Sequence, residues 1–332
     1  MMARILSTGG ARRSTLARFI SGYGQEIVIF CAIVILFAVV AAINPRFLGA
    51  NNLTTIFSGN AYIAVAAIGM SMIIITGHID VSVGALIGVL ATISGTLAVA
   101  GYPIWVAWLA PVLVGMGVNA VVGVLVAYGR IPSIVVTLGM LSILRGGLVS
   151  VTGGAWITDL PPEFLLAQQR LFGIPAPVVF MVILTALAAL WMRYTTTGRS
   201  IYAIGGNSEA ARAAGINIER RTVLVFLIHG GFAGLATILF ATQLKIIQST
   251  VPPNLELTVI TAAVIGGVSI LGGTGTVVGA TLAAILFSAI GSALIFINIS
   301  AYWLRAVIGL LILTTVLIDM ARRSNEMRSA KR

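Results

Sequence analysis

The sequence of 332 residues predicts an all-α fold, a polytopic transmembrane helical bundle of about ten spans with both termini cytoplasmic. Three observations predict it. Hydrophobic residues make up 59% of the chain and charged residues only 9%, whereas a soluble domain carries about 25% charged residues. The mean hydropathy is +1.08. Apolar runs long enough for spans of roughly 20 residues recur along the whole chain. Such a chain cannot cover itself with polar surface, so its solvent is lipid.

Runs broken by Gly, Pro, Asn or charge place helices near 26–43, 54–76, 82–100, 103–128, 132–152, 172–192, 222–243, 257–271, 276–297 and 300–319. Residues 26–320 then form one transmembrane domain between a tail at 1–25 and a basic tail at 321–332. With a cytoplasmic amino terminus, the inside segments hold Arg4, Arg12, Arg13, Arg18, Arg130, Arg193, Arg199, Arg212, Arg220, Arg221, Arg322, Arg323, Arg328, Lys331 and Arg332. The outside segments hold only Arg46, Arg170 and Lys245. This asymmetry follows the positive-inside rule, and an odd number of spans would break it. The net charge of +11 therefore indicates orientation toward membrane lipid, not nucleic acid. Arg12-Arg13 before an apolar run with AVVAA at 38–42 also resembles a secretion signal, but the run after Glu26 exceeds a signal core of about 7–15 residues. Cys31 is the lone cysteine, so no disulfide framework exists.

Two segments break the pattern of short loops. Residues 153–171, predicted outside, contain Pro161-Pro162 and read as a loop with a short interfacial piece. Residues 193–221, predicted inside, are the most polar stretch of the chain. There Asn207 or Ser208 can cap a helix with Glu209 in its first turn, Ala210, Ala211, Ala213 and Ala214 favour helix, and Gly215 can end it. Such a short helix needs support from elsewhere. It suits either insertion into a groove of another protein or a plain capped connection.

Polar residues within or near the spans are Asn60, Asp80, Asn119, Arg145, His229, Gln243 and Arg305. Ionisable groups in lipid cost several kcal/mol and turn toward a bundle interior or aqueous cavity. Asp80 and Ser82 lie in ITGHIDVSVGAL at 75–86, a polar break where Gly77 and Gly84 relax the backbone. An Asp80–Arg145 ion pair is one structural alternative to a pathway role, and His229 before Gly230-Gly231 reads as a packing or hydrogen-bonding residue. Gly273, Gly275 and Gly279 lack the strand and downstream acid of a dinucleotide loop and suit close packing or a helix terminus.

Enzyme chemistry finds little material. The chain holds only His78, His229 and one cysteine for soft metal ligation, and it has no HExxH or GxSxG arrangement. No metal site, cofactor or catalytic residue is expected. Lys245 and Lys331 are the only lysines and neither follows GxxxxG, so ATP-driven transport requires a separate ATPase subunit.

Five ordered blocks resemble the permease subunits of bacterial ABC importers for monosaccharides, the ribose, xylose and galactose type. GHIDVSVGA at 77–85 is similar to that family's GGIDLSVGS, GRSIYAIGGNSEAARAAGI at 198–216 to its cytoplasmic coupling segment, and VIGGVSILGGTGTVVGA at 264–280 to its glycine-rich block. NPRFLGANNL at 44–53 and IPSIVVTLGMLSILRG at 131–146 support the likeness. The resemblance implies sugar transport across the inner (cytoplasmic) cell membrane, with Asn207, Ser208, Glu209, Ala210, Ala211, Arg212 and Gly215 coupling to an ABC ATPase. It also implies a second permease copy or related permease and a periplasmic sugar-binding protein. Asn60, Asp80, Ser82, Asn119, Arg145 and Glu256 are the candidate pathway or gating residues from polarity. His78 replaces the family's common Gly, and Thr258 replaces an acid that often follows Glu256-Leu257. The rivals are a branched-chain amino-acid permease and an ion-coupled secondary transporter using Asp80.

Overall fold

A computed structural model describes residues 24–300, 302–304, 306–311, 313, 314, 317 and 320. The expected tails, apart from Gly24 and Gln25, and Arg305 lie outside the described residues. The helices are α1 (Gly24–Ile43), α2 (Ala50–Ser58), α3 (Ala61–Ile75), α4 (Val83–Val99), α5 (Ile104–Ala127), α6 (Ser133–Thr152), α7 (Ala176–Tyr194), α8 (Thr196–Gly206), α9 (Ser208–Ala213), α10 (Ile218–Ala241), α11 (Leu255–Ile265) and α12 (Val277–Phe296). Seven stretches are long and apolar enough to cross a membrane: α1, α2 with α3, α5, α6, α7, α10 and α12. Residues 306–311 are helical as well.

Helix α3 is the centre of the bundle, with every residue but Tyr62 buried. It is apolar all round, as a helix surrounded by protein requires. Helices α10, α11 and α12 pack around it. By contrast α1 and α6 turn most of their apolar surface outward, including Val28, Phe30 and Ile35 on α1. The span predicted over 54–76 breaks at Gly59 and Asn60, where Gln243 donates a side-chain hydrogen bond to the Gly59 carbonyl at 3.0 Å. That bond satisfies a backbone acceptor that the interrupted helix leaves free.

The helix predicted over 257–271 is a correction. It ends at Ile265, and its 11 residues span about 16 Å, roughly half of a bilayer core. Gly267, Gly272, Gly273 and Gly275 all have positive φ, so the following block is a turn that no helix can continue through. The Gly273 N–H donates to the Ile75 carbonyl at 2.8 Å, and the Tyr202 hydroxyl donates to the Gly275 carbonyl at 3.0 Å. The block thus joins the end of α3, the amphipathic α8 and the start of α12. Gly205 of α8 touches the Ile75 carbonyl where a Cβ would stand. Gly205→Val is expected to destabilise the protein by about 3 kcal/mol or more, measured as lost monodisperse yield and a lower melting temperature in detergent.

At the opposite end, residues 153–175 form more than the predicted loop. Strand β1 (Trp156–Ile157) pairs antiparallel with β4 (Ile247–Gln248), and β2 (Arg170–Leu171) pairs with β3 (Ile174–Pro175). Phe164 is fully buried in a cluster with Ile157 of β1 and Ile247 of β4. The Ala167 N–H donates to the Thr242 hydroxyl at 3.1 Å, and the Gln168 amide donates to the Gln243 carbonyl at 2.9 Å. This clasp fixes the end of α10 and the start of the irregular segment at 242–254.

Candidate functional site

Two regions gather the residues singled out by sequence. The first is the polar segment at 193–221, which folds as α8, α9 and the first turn of α10. The Thr195 hydroxyl caps α8 by accepting from the Gly198 N–H at 3.0 Å, and Ile201 and Ile204 bury one face of it. Asn207, not Ser208, caps α9, its Oδ1 accepting from the Ala210 N–H at 2.9 Å. Gly215 takes φ +83° just beyond the helix end, a conformation that stops the helix at little cost only in Gly.

On α9, Ala211 is buried against the rest of the chain, whereas Ser208, Glu209, Ala210, Arg212, Ala213 and Ala214 are exposed. Ala210, Ala213 and Ala214 share one helix face at i, i+3 and i+4. That face is small and unobstructed. The Arg212 guanidinium donates to Glu219 at 2.6 Å, linking α9 to the first turn of α10. The pair is exposed, so Arg212→Ala is expected to leave the thermal melt nearly unchanged, with any small shift vanishing at high salt.

The second region surrounds the start of α4. Asp80 and Ser82 are buried in the connection from α3, and the Asp80 Oδ1 accepts both the Ser82 N–H at 2.7 Å and the Ser82 hydroxyl at 2.6 Å. The second carboxylate oxygen, Oδ2, lies 3.3 Å from His229 Nε2, and both side chains are 0% exposed. His229 lies eleven positions after Ile218, so the pair sits about 16 Å along α10. Gly69 of α3 lets the imidazole approach: a Cβ there would lie 2.8 Å from His229 Nδ1. Asn119 is also fully buried, beside Gly230, and neither atom of its amide finds a hydrogen-bond partner in the described chain.

Glu256 enters from the other side of α4. It lies in the first turn of α11 and is 6% exposed, with no hydrogen-bond partner for Oε2. Its carboxylate rests on Gly84, whose missing Cβ makes the room. Gly88 accepts Thr250 and Val251 in the same way, and Gly95 accepts Ile247. The segment at 242–254 therefore runs along one glycine-lined face of α4 and leads into α11. The small residues Gly84, Gly88, Ala91 and Gly95 recur every three or four positions, a close-packing signal legible in the sequence that the reading of single polar residues passes over.

The structure brings Asp80, Ser82, Asn119 and Glu256 around the first turn of α4 and the middle of α10. Asn60 lies elsewhere: its amide donates to the Ser288 hydroxyl at 2.9 Å, repairing the break before α3. Arg145 is exposed on α6, so the Asp80–Arg145 ion pair does not form. The α6 stripe of Ser133, Thr137 and Leu148 faces the bundle, and position 145 falls off it. Asp80 meets His229 instead, a pairing across 149 positions that no local pattern encodes. His78 packs its ring 6.0 Å from that of Phe226. Among the described residues no three His, Cys, Asp or Glu side chains converge as a metal site would need.

A family model described as the permease component of a branched-chain amino acid transport system matches residues 52–316. The chain is also 38% identical to the autoinducer 2 import system permease protein LsrC of Salmonella typhi over 309 residues, which covers 93% of this chain and 89% of that protein. The corresponding protein of Escherichia coli O9:H4 is 37% identical over 93% of this chain and 90% of its own length. No solved structure matches. Since the family match contains α8, α9 and every residue around the start of α4, the chain belongs to this family of transport-system permease components.

Proposed function

We propose that the chain is the membrane-spanning permease subunit of a bacterial ABC importer and forms the pathway for a small neutral carbohydrate. The observation that carries this reading is the identity of 38% over 93% of the chain to a protein named as an import-system permease. Residues 26–320 are read as one transmembrane domain in the inner membrane. The irregular segment at 242–254 and the half-length α11 together make the crossing that a single helix was expected to make. Added to the seven long stretches, α4 and the helical residues near 306–311, this supports ten crossings and two cytoplasmic termini.

Helix α9 then docks into the ATPase subunit through Ala210, Ala213 and Ala214, with Asn207 and Gly215 fixing its ends. Asp80, Ser82, Asn119 and Glu256 form the gating region, where α4, α10 and α11 meet. Two permeases enclose the pathway, and a periplasmic binding protein delivers the substrate. ATP binding in the partner favours one arrangement of these helices over another, which gives alternating access. The ATPase fold and the chemistry of hydrolysis belong to the partner.

The second reading, a branched-chain amino-acid permease, follows the description of the family model. Reconstitution of the chain with its copurifying ATPase and binding protein separates the two. ATP-dependent uptake of labelled monosaccharide or autoinducer 2, without uptake of leucine or isoleucine, is expected. Amino-acid uptake alone would overturn the carbohydrate assignment. Uptake by the isolated chain on an ion gradient would overturn the importer reading altogether.

A further inference from the structure

We propose that α7 is held across the bilayer by two aromatic–arginine anchors seated among lipid headgroups, Arg170 with Phe172 at the outer interface and Arg193 with Tyr194 at the inner one. The names outer and inner rest on the topology proposed above, whereas the anchoring rests only on α7 being a membrane span. Between β2 and β3 the chain reverses in two residues, Phe172 at φ +53° and Gly173 at φ +81°. A turn with positive φ at both positions suits Asn, Asp or Gly at the first, and a bulky aromatic residue is strained there. Phe172 gains nothing from its own chain in return, since it is 101% exposed. Beside it the Arg170 guanidinium donates to the Gly173 carbonyl at 3.3 Å, which holds a positive charge at the turn.

A ring kept at a strained position without a partner in its own chain has its partner outside, and the surroundings favour lipid. Ile174 is exposed on the same hairpin, and the exposed residues of α7 up to Leu190 are all apolar, Val182, Ile183, Ala186 and Leu187 among them. Phe172 and Ile174 thus cap an outward surface that carries no exposed polar side chain until Arg193. A helix with such a surface, long and apolar enough to span, lies against acyl chains.

The opposite end of α7 repeats the arrangement. Tyr194 is 65% exposed, and the Arg193 guanidinium lies over its ring, 5.4 Å from the centroid, a cation–π contact. The 19 residues of α7 rise about 28 Å between the two pairs, close to a hydrocarbon thickness of roughly 30 Å. Aromatic rings at headgroup level, with arginines whose stems lie along apolar surface and whose charge stays in water, fasten a span at its ends. A protein docking from outside would explain the outer pair alone, whereas the bilayer explains both. Thr195, the cap of α8, follows Tyr194 directly, so the inner anchor sets the depth at which α8 and α9 leave the membrane.

The test places single nitroxide labels at Phe172→Cys, Tyr194→Cys, Leu187→Cys and Glu163→Cys, in a Cys31→Ser background of the complete importer in lipid nanodiscs. Collision of each label with oxygen, which concentrates in lipid, is compared with collision with a water-soluble nickel chelate. The label at Leu187 should meet oxygen, and the label at Glu163, in the loop before β2, should meet nickel. At 172 and 194 most of the nickel collisions seen at Glu163 are expected to be lost, with fewer oxygen collisions than at Leu187, as at headgroup depth. Adding loaded binding protein should leave the label at 172 unchanged. Nickel collision at 172 or 194 equal to that at Glu163 overturns the two-ended anchor. So does protection at 172 that arises only with the binding protein, which would make the tip a protein contact. Should the label at 172 loosen the turn, Ile174→Cys decides by the same criterion. Nickel collision at Leu187 takes α7 out of the bilayer and sinks the membrane reading together with the anchor. ATP-driven uptake is measured separately in proteoliposomes, where its absence sinks the importer reading and leaves the anchor to be decided by the depths.

Discussion

An Ala210→Trp variant is expected to insert and melt like the wild type yet bind its ATPase about 30-fold more weakly, with uptake falling in proportion. A steric obstacle at the centre of a docking face commonly costs 2 kcal/mol or more, which corresponds to about that factor. Ala210 is exposed on the free face of α9, so the indole replaces nothing within the chain. The adjacent Ala211→Trp should behave differently. Ala211 is only 4% exposed, and its carbonyl accepts the Ile216 N–H at 3.0 Å where the chain turns into α10. An indole there has no space, so α9 itself should come loose, with a cost of about 1–3 kcal/mol in a thermal melt. Copurification of the ATPase, measured beside the melt, distinguishes the two. Equal ATPase recovery from Ala210→Trp and wild type would show that this face is not the docking face.

Those two alanines also show what was legible in the sequence. The helix at 208–213, its Asn207 cap and its Gly215 stop follow from side-chain types within a few positions of one another. The division between a buried Ala211 and a free Ala210 does not, because it depends on how α9 lies against α10. Helix α8 was missed for another reason. Its Gly198, Ile201 and Ile204 keep a helical spacing, but the surrounding Thr, Arg and Ser give the segment the composition of a loop. Most long spans were legible because apolar length alone defines them. The shortened α11 was not, since Val264 and Ile265 lead into Val268 and Ile270 without a fall in hydropathy, and only the glycines mark the turn. In the interior, Asp80, Ser82, Asn119 and Glu256 stood out by polarity. The partners of Asp80 and Glu256 were hidden, because the meeting of Asp80 with His229 and of Glu256 with Gly84 is set by tertiary packing.

Replacing Gly84 with Val should produce a large structural effect in the interior, a destabilisation of about 3 kcal/mol or more together with loss of transport. Any Cβ at this position runs into the Glu256 carboxylate and lies 2.9 Å from the Glu256 backbone nitrogen, so α11 cannot keep its seat. Gly88→Val meets the Thr250 carbonyl and Val251 Cα at 3.1 Å and should act in the same direction. Gly117→Ala on α5 provides the comparison. Nothing lies within 4 Å of that position, and alanine gains up to about 1 kcal/mol of helix propensity. The consequence for transport comes from the backbone that the glycines admit. Non-helical backbone at membrane depth cannot face lipid, because its N–H and C=O groups would lack partners. Yet the segment descending along α4 leaves Lys245, Gln248, Thr250 and Asn254 exposed on its outer side. On the proposed ten-span topology, that side faces water in the pathway or a second permease. In a Cys31→Ser background, Thr250→Cys and Asn254→Cys are expected to react with a membrane-impermeant maleimide, at rates that change when ATP is added to the complete importer. A Val34→Cys control on the outward apolar face of α1 should stay unreactive, since this helix is long and apolar enough to lie in lipid. Equal inertness at all three positions would place the irregular segment away from the pathway.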